Sequence, residues 1–266
     1  MLGLLLWKTG GKRPVTVGER RVLRVRFVWG EVERGTGPLT RLRVRRALGQ
    51  LRRRGVTEVV LPEGFPWRGL AEEAGLRPVS TLPLRRLIAA DWLTAALEAA
   101  GIRSAAVSVA VTGDSLTGEM ARTVTELALR YRYVLLELRR GGEDLQRRLR
   151  REYGVSLQLH PAPERLAQAE AVVEFLPGGP GSWPVRLRLW EEEGPLPELR
   201  LPPALEAQLP AGVDRGQLLS ALRQAGALRP GQLTVSGVQG GEKGRNPPLS
   251  GETFAKSLQI PPGDRP

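Results

Sequence analysis

Residues 105–138 read AAVSVAVTGDSLTGEMARTVTELALRYRYVLLEL. The first seven, residues 105–111, are small or β-branched and predict a strand. Four apolar residues then recur at helical spacing and predict a helix over 117–130: Met120, Val124, Leu127 and Ala128. The run from Val134 to Leu138 is almost continuously apolar and predicts a second strand. Such strands are typical of a parallel sheet that is covered on both faces.

The alternation of strands and helices extends in both directions from this stretch. Upstream, the pattern predicts a strand over 22–29 with Arg24 and Arg26 on its outer face, strands over 56–61 and 77–81, and helices over 41–54 and 84–100. Downstream, it predicts helices over 143–153 and 164–169 and extended segments over 155–159 and 171–176. The fold class predicted is therefore α/β, with a doubly wound, mostly parallel sheet.

Changes in composition suggest the domain boundaries. We predict an N-terminal α/β half over 1–101, a second α/β half over 102–177, a small C-terminal extension over 178–236 and a disordered tail over 237–266. The extension begins with a Gly- and Pro-rich turn and includes a helix that Asp214 would cap. The tail is rich in Gly, Pro and charge and has no hydrophobic periodicity.

Length and composition limit the possible classes of protein. The chain has 266 residues, is 41% hydrophobic and has no cysteine, so it can bury a core but has no disulfide, thiolate nucleophile or sulfur-ligated metal site. The apolar run from Leu2 to Trp7 is too short for a secretory signal, and no stretch reaches the roughly 20 apolar residues of a membrane span. These features predict a cytoplasmic protein with no membrane partner.

The net charge of +12 allows two interpretations. A strongly basic surface attracts nucleic acid and other anions. Only four of the forty basic residues are lysines, however, and the chain is also rich in Ala, Gly, Pro and Leu, as codon bias in a GC-rich genome would produce. The arginines of the helix near 41–54 are thus interpreted first as a solvated face and second as a nucleic-acid-binding stripe.

The segment 112–118, Thr-Gly-Asp-Ser-Leu-Thr-Gly, lies between a predicted strand and a predicted helix. Amides at such a helix entrance can bind a phosphate, aided by the helix dipole. Gly113 and Gly118 match the first and third glycines of the dinucleotide fingerprint, and Ser115 replaces the middle one. A phosphate loop of the Walker type fits poorly, because Glu119 stands where its lysine would be.

Glu137 follows 24 residues after Gly113, near the end of the next predicted strand, where an acidic residue could bind a ribose hydroxyl. With these residues, the stretch from about 105 to 176 resembles the Rossmann-type NAD(P)-binding domain. The resemblance implies a cofactor-binding set of Gly113, Asp114, Ser115, Gly118, Glu137 and Arg139. It also implies NAD or NADP as the cofactor, with Arg139 and Arg140 favouring the 2′-phosphate of NADP, and NAD(P)-dependent oxidoreduction if the protein is an enzyme.

Several alternatives remain open at this level. Gly113 and Gly118 could simply permit a tight turn and close helix packing, with Ser115 or Thr117 capping the helix. The ligand could be another phosphorylated small molecule, or the fold could serve as a non-catalytic interaction or regulatory module. His160, the single histidine, could be a general acid or base, but it is interpreted first as a surface residue. We predict no metal site and assign no catalytic residue.

Overall fold

The computed structural model describes residues 1–8, 14–102, 106–178 and 181–236. Its strands form two separate five-stranded sheets and one two-stranded ribbon. The two predicted β/α halves therefore build one sheet each and do not share a single sheet.

The N-terminal half forms the first sheet, with strand order β2-β3-β1-β4-β5. Its elements are β1 (Leu2–Lys8), β2 (Val15–Val22), β3 (Val25–Glu33), α1 (Pro38–Arg53), β4 (Glu58–Val60), α2 (Gly69–Glu73) and β5 (Arg77–Pro78). All neighbouring strands are parallel except β2, which pairs antiparallel with β3. Helices α1 and α2 cover one face of this sheet, where Val44, Leu48 and Leu51 are fully buried.

The strand predicted over 22–29 has the wrong bounds, because residues 25–29 belong to β3 but Val22 ends β2. Residues 15–33 form a hairpin whose turn lies at Leu23 and Arg24, and Leu23 adopts a positive φ of 52°. The apolar residues of β3 are buried on both faces, because Phe27 packs into the core shared with the second half and Val28 packs under helices α1 and α2. An alternating pattern could not reveal a strand that is covered on two sides.

The single long helix predicted over 84–100 is two helices, α3 (Leu82–Leu87) and α4 (Ala89–Ala99). The backbone leaves the α-helical region at Ile88, where φ is −92° and ψ is 4°. Both helices contact the helix over 118–130, but α3 also packs against the helix over 215–224, whereas α4 also packs against the strands over 171–174 and 185–188. Tertiary packing thus divides a segment whose local pattern is uniformly helical.

The second half forms the second sheet, with strand order β10-β9-β6-β7-β8 and every pair parallel. Its elements are β6 (Ser108–Ser115), α5 (Gly118–Arg130), β7 (Tyr133–Arg140), α6 (Glu143–Tyr153), β8 (Leu157–Leu159), α7 (Pro163–Ala167), β9 (Ala171–Glu174) and β10 (Val185–Arg188). In order of appearance the strands run 3-2-1-4-5, the order of a Rossmann-type half. Helices α5 and α6 pack on one face and α7 on the other, so the prediction of a doubly wound, mostly parallel α/β fold is confirmed.

The C-terminal segment completes both halves. Strand β10 adds to the second sheet, so that sheet continues beyond residue 177. The remaining elements are β11 (Glu198–Arg200), α8 (Pro203–Glu206), α9 (Arg215–Gln224) and β12 (Thr234–Ser236), with β11 and β12 antiparallel. As predicted, Asp214 caps α9 by accepting a hydrogen bond from the Gln217 amide at 3.0 Å. The predicted tail over 237–266 lies outside the described residues.

One core joins the two halves. It includes Leu4 and Phe27 from the first sheet, Val109 and Val173 from the second, and Leu93 of α4 between them. Within the described ranges, no helix is long and apolar enough to cross a bilayer.

Candidate functional site

Strand β6 runs further than its sequence suggests. It continues through Gly113, Asp114 and Ser115, and it pairs with β7 as far as Ser115 opposite Arg140. The turn expected over 112–118 is therefore confined to Leu116 and Thr117. The pairing also lengthens β7, which ends at Arg140. Glu137 pairs with Thr112 and therefore lies three residues before the end of its strand.

Gly113 has a packing role in this structure. It lies in extended backbone opposite Leu138, and a Cβ atom added to it would overlap the Met120 side chain at the start of α5. A Cβ on Gly118 would meet no atom within 4 Å. A side chain at position 113 would therefore displace the terminal methyl group of Met120, whereas one at position 118 would displace nothing.

The start of α5 is partly capped by its own residues. The Thr117 hydroxyl accepts a hydrogen bond from the Met120 amide at 3.2 Å. The amides of Gly118 and Glu119, the first two of the helix, have no intrahelical acceptor. The Glu119 carboxylate lies 2.8 Å from Arg86 of α3 and is thereby neutralised. Thr117 is thus the capping residue, and two amides of the first turn remain as donors.

A cleft of about 320 Å³ lies beside this helix start. The residues that line it include Arg86, Asp114, Ser115, Thr117, Phe175 and Leu176. The chain proceeds from β6 to β7 on one side and later returns to β9 on the other, so the cleft is at the topological switch point of the sheet. In open α/β sheets this position, beyond the carboxyl ends of the strands, is where ligands bind.

Arg86 is the cation that lines the cleft. Its guanidinium lies 6.0 Å from the centre of the Phe175 ring, and its side chain is 28% exposed. The Nε atom is enclosed and has no hydrogen-bond partner among the described residues. Because an arginine has five N–H donors, Arg86 retains donors after its ion pair with Glu119.

The structure brings together some of the predicted site residues. Asp114 and Ser115 line the cleft, and Arg139 lies 3.3 Å from the Asp114 carboxylate. Gly118 begins the adjoining helix. Glu137 is half-buried and does not line the cleft; it lies on the sheet face opposite α5, in the row of Leu135.

Two other candidates can also be located. His160 is exposed after β8 with a φ of 45°, and its side chain makes no hydrogen bond or ion pair to the described part of the chain. The outer face of α1 is exposed as expected, and its Arg43 and Arg45 pair with Glu33 and Glu73. Among the residues that the structure describes, no three His, Cys, Asp or Glu side chains are grouped as metal ligands.

Sequence reasoning missed a larger cavity of about 730 Å³. It lies at the carboxyl ends of β4 and β5 and is closed by residues 192–196 and the start of α9. Arg85, which is 2% exposed, lies at its edge and donates to the carbonyls of Glu192, Gly194 and Pro195. Burial lowers the pKa of Arg85, and nearby carboxylates oppose this effect. An arginine beside Leu84 and Ile88 in an apolar helical segment was the one available signal.

No family model matches the sequence, and no curated protein matches it either. Among solved structures, partial similarity is found to D-lactate dehydrogenase with NAD⁺ from Lactobacillus jensenii, with 10% identity, a TM-score of 0.25 and coverage of 50% of this chain and 45% of that chain. L-tryptophan dehydrogenase from Nostoc punctiforme gives 12% identity, a TM-score of 0.27 and coverage of 55% and 44%. A D-isomer specific 2-hydroxyacid dehydrogenase from Lactobacillus delbrueckii ssp. bulgaricus, in its NAD-complexed form, gives 10% identity and a TM-score of 0.28. The match covers 58% of this chain and 56% of that chain. The chain thus spans about half the length of these proteins.

Proposed function

We propose that this protein binds a phosphorylated small molecule, a nucleotide in the first instance, in the cleft at the switch point of the second sheet. The observation behind the proposal is that the N-terminus of α5, the ends of β6 and β9 and the Arg86 guanidinium all border one cleft.

The electrostatics of the cleft favour an anion. The amides of Gly118 and Glu119 and the dipole of the 13-residue helix α5 present partial positive charge at one side. Arg86 adds a guanidinium, which suits the bidentate geometry of a phosphate. Two carboxylates oppose binding less than free ones would, because Asp114, which lines the cleft, pairs with Arg139 and Glu119 pairs with Arg86.

The size of the cleft favours a compact ligand. About 320 Å³ is at the lower end of the range of small-molecule sites. A phosphate with its sugar fits this volume, and a dinucleotide such as NAD or NADP would extend over the rim toward Arg139. Oxidoreduction is the first reaction to test if a dinucleotide binds, although the geometry assigns no residue to a chemical step.

Thermal-shift titration with NAD, NADP, ATP, GTP and inorganic phosphate tests the proposal. A ligand at a hundred times its Kd stabilises the folded state by about 2.7 kcal/mol, so a nucleotide that binds raises Tm with a measurable concentration dependence. Arg86→Gln is expected to weaken binding about tenfold or more, through loss of a charged hydrogen bond.

The matched control is Arg148→Gln. Arg148 is exposed on α6, remote from the cleft, and makes no ion pair among the described residues, so its loss should leave nucleotide binding unchanged. The absence of any shift with all five ligands would contradict the proposal, as would equal effects of the two substitutions.

A second candidate function, nucleic-acid binding, is favoured by a groove of about 670 Å³ at the amino ends of β7 and β8. Arg130, Arg132, Arg165, Tyr131 and Tyr133 line it, and no carboxylate is found among its described lining residues. The Arg132 guanidinium lies 5.5 Å from the centre of the Tyr133 ring. Arginines beside aromatic rings suit phosphates and stacked bases.

Binding of single-stranded DNA or RNA at low salt, weakening steeply as salt rises, is the expected result for this second candidate. The double substitution Arg132→Glu and Arg165→Glu should abolish retention if the groove is used, whereas Arg45→Glu with Arg52→Glu should abolish it if the α1 face is used. If neither DNA nor RNA is retained at low salt, nucleic-acid binding by both the groove and the α1 face is excluded.

A further inference from the structure

The cavity of about 730 Å³ is built from chain segments that are far apart in sequence. The connections that follow β4 and β5 contribute Glu63, Ser80 and Thr81, and the C-terminal segment contributes Glu192, Glu193 and the start of α9. It shares no lining residue with the cleft at the switch point of the second sheet. The cavity is therefore a separate place in which a ligand could bind.

Gln217 provides a donor at the inner end of this cavity. The residue is only 3% exposed, and its Oε1 atom accepts a hydrogen bond from the Leu61 amide at 2.9 Å. Because a backbone amide needs an acceptor, this bond fixes which end of the carboxamide is oxygen.

The Nε2 group of Gln217 has no hydrogen-bond partner among the described residues. This nitrogen is not fully enclosed by protein atoms. The fully enclosed donors without partners in the described ranges are the Nε atoms of Arg86, Arg122 and Arg223 and the indole nitrogen of Trp190. The amide nitrogen thus retains an open side, and the open space that Gln217 borders is the cavity. A buried donor of this kind requires an acceptor, either water or a ligand.

The start of α9 lies beside Gln217 and adds to the same requirement. This helix has ten residues, and Asp214 accepts only from the Gln217 amide, so the amides of Arg215 and Gly216 have no intrahelical acceptor. The Asp214 carboxylate at this helix start lies 3.9 Å from Arg68 Nη2, which offsets its negative charge. A ligand group that accepts hydrogen bonds, such as a carboxylate, therefore suits the free amides at this end of the cavity.

The rim of the cavity has the opposite character. Six carboxylates line the cavity against four arginines, although the chain as a whole has a charge of +12. Glu63 and Glu72 are exposed and have no ion-pair partner in the described ranges. The arginines are largely compensated, since Arg68 lies near Glu193 and Asp214, and Arg215 pairs with Glu206. Unpaired negative charge at the rim favours a cationic group.

We propose that this cavity binds a free amino acid, with its carboxylate toward Gln217 and the start of α9 and its ammonium toward Glu63 and Glu72. A ligand with both charges can accept a hydrogen bond from the unpaired donor inside the cavity and can form ion pairs with the unpaired carboxylates at the rim. A divalent cation does not fit the cavity, because no group of three metal-ligating side chains is found among the described residues. The inference does not depend on nucleotide binding in the other cleft.

The full-length protein is to be titrated with each of the twenty L-amino acids, first by thermal shift and then by isothermal titration calorimetry. At least one is expected to raise Tm and to bind saturably. The matching carboxylic acid without the ammonium, and the matching amine without the carboxylate, should each bind about tenfold more weakly or worse. No binding by any amino acid overturns the proposal, and so does an amine that binds as tightly as its amino acid.

Two variants locate the site. Gln217→Glu keeps an acceptor for the Leu61 amide but removes the donor, and Glu63→Gln with Glu72→Gln removes the rim charges at exposed positions that folding does not need. Each should weaken amino-acid binding about tenfold, whereas Glu164→Gln, on exposed α7, should not change it. If Gln217→Glu fails to fold, the variant with Glu63→Gln and Glu72→Gln alone tests whether the amino acid binds in this cavity. Unchanged affinity in the variants that fold overturns the assignment, and nucleotide titration of the same proteins tests the other cleft separately.

Discussion

Glu174 and Arg186 form a bidentate ion pair across β9 and β10. Arg186 Nε lies 2.8 Å from Glu174 Oε2, and Arg186 Nη2 lies 2.7 Å from Glu174 Oε1. The Glu174 side chain is fully buried, whereas the Arg186 side chain is 29% exposed and its guanidinium lies 5.3 Å from the centre of the Trp183 ring. The hydrogen bonds that Arg186 donates to the Glu174 carboxylate raise the pKa of Arg186, so its guanidinium stays charged. This pair joins the C-terminal segment to the second sheet.

Arg186→Met should therefore destabilise the protein strongly. The substitution leaves a buried carboxylate without its cation, which costs about 3 kcal/mol in the free energy of unfolding. Glu174→Gln, which removes the buried charge, should cost less. Urea denaturation measures both, and Glu198→Gln, which breaks the exposed pair with Arg200, should cost under about 1 kcal/mol. Equal costs for the buried and exposed pairs would contradict this prediction.

Gly113→Ala should destabilise the contact between β6 and α5. The added methyl group overlaps the Met120 side chain, and overpacking of this kind costs about 1–3 kcal/mol. Combining it with Met120→Ala should remove the overlap, so the double variant should be more stable than the sum of the two single changes predicts. Gly118→Ala is the control, because no atom lies near its Cβ position. If the losses in the free energy of unfolding from Gly113→Ala and Met120→Ala are strictly additive, overlap with Met120 does not cause the destabilisation by Gly113→Ala.

Arg85→Met should loosen residues 192–196. The guanidinium donates to three carbonyls of this segment and to the Thr81 hydroxyl, and all four bonds are lost together. We expect a loss of about 3 kcal/mol, because buried acceptors are left unsatisfied. Hydrogen exchange should rise selectively in 192–196 and in the neighbouring β5 to α3 connection. Arg148→Met, at an exposed site, should leave exchange unchanged. A uniform rise across the chain would instead indicate global destabilisation.

Glu206 and Arg215 predict a dependence of stability on pH. The hydrogen bonds from Arg215 hold the pKa of Glu206 below its ordinary value of 4.5. A carboxyl whose folded-state pKa is lowered binds protons more readily when unfolded, so its stabilisation is present above pH 4.5 and is lost as the pH falls further. Glu206→Gln should cost less than about 1 kcal/mol at pH 7, since the pair is partly exposed, and nothing at low pH. A difference from the native chain that is independent of pH would contradict this assignment.

Local patterns determined much of the fold. Helices α5, α6 and α9 begin and end within a residue or two of their predicted positions, because their apolar spacing and their terminal signals are properties of neighbouring residues. Helix α1 ends as predicted but begins at Pro38, before the predicted start at residue 41. The alternation of strands and helices was likewise sufficient to predict a parallel α/β fold. Part of the cleft was also predictable, since Asp114, Ser115 and Gly118 lie at the strand-to-helix connection that the sequence indicated.

Contacts between distant segments decided the rest. The length of β6 depends on its pairing with β7, the break at Ile88 accompanies packing against two different partners, and Glu137 is excluded from the cleft by the register of the second sheet. The large cavity exists only because the C-terminal segment returns to the first sheet, where Gln217 meets Leu61 and Arg85 meets residues 192–195. These pairings join residues more than 100 positions apart, and they depend on hydrogen bonds that satisfy buried polar groups, which no local pattern of hydrophobicity records.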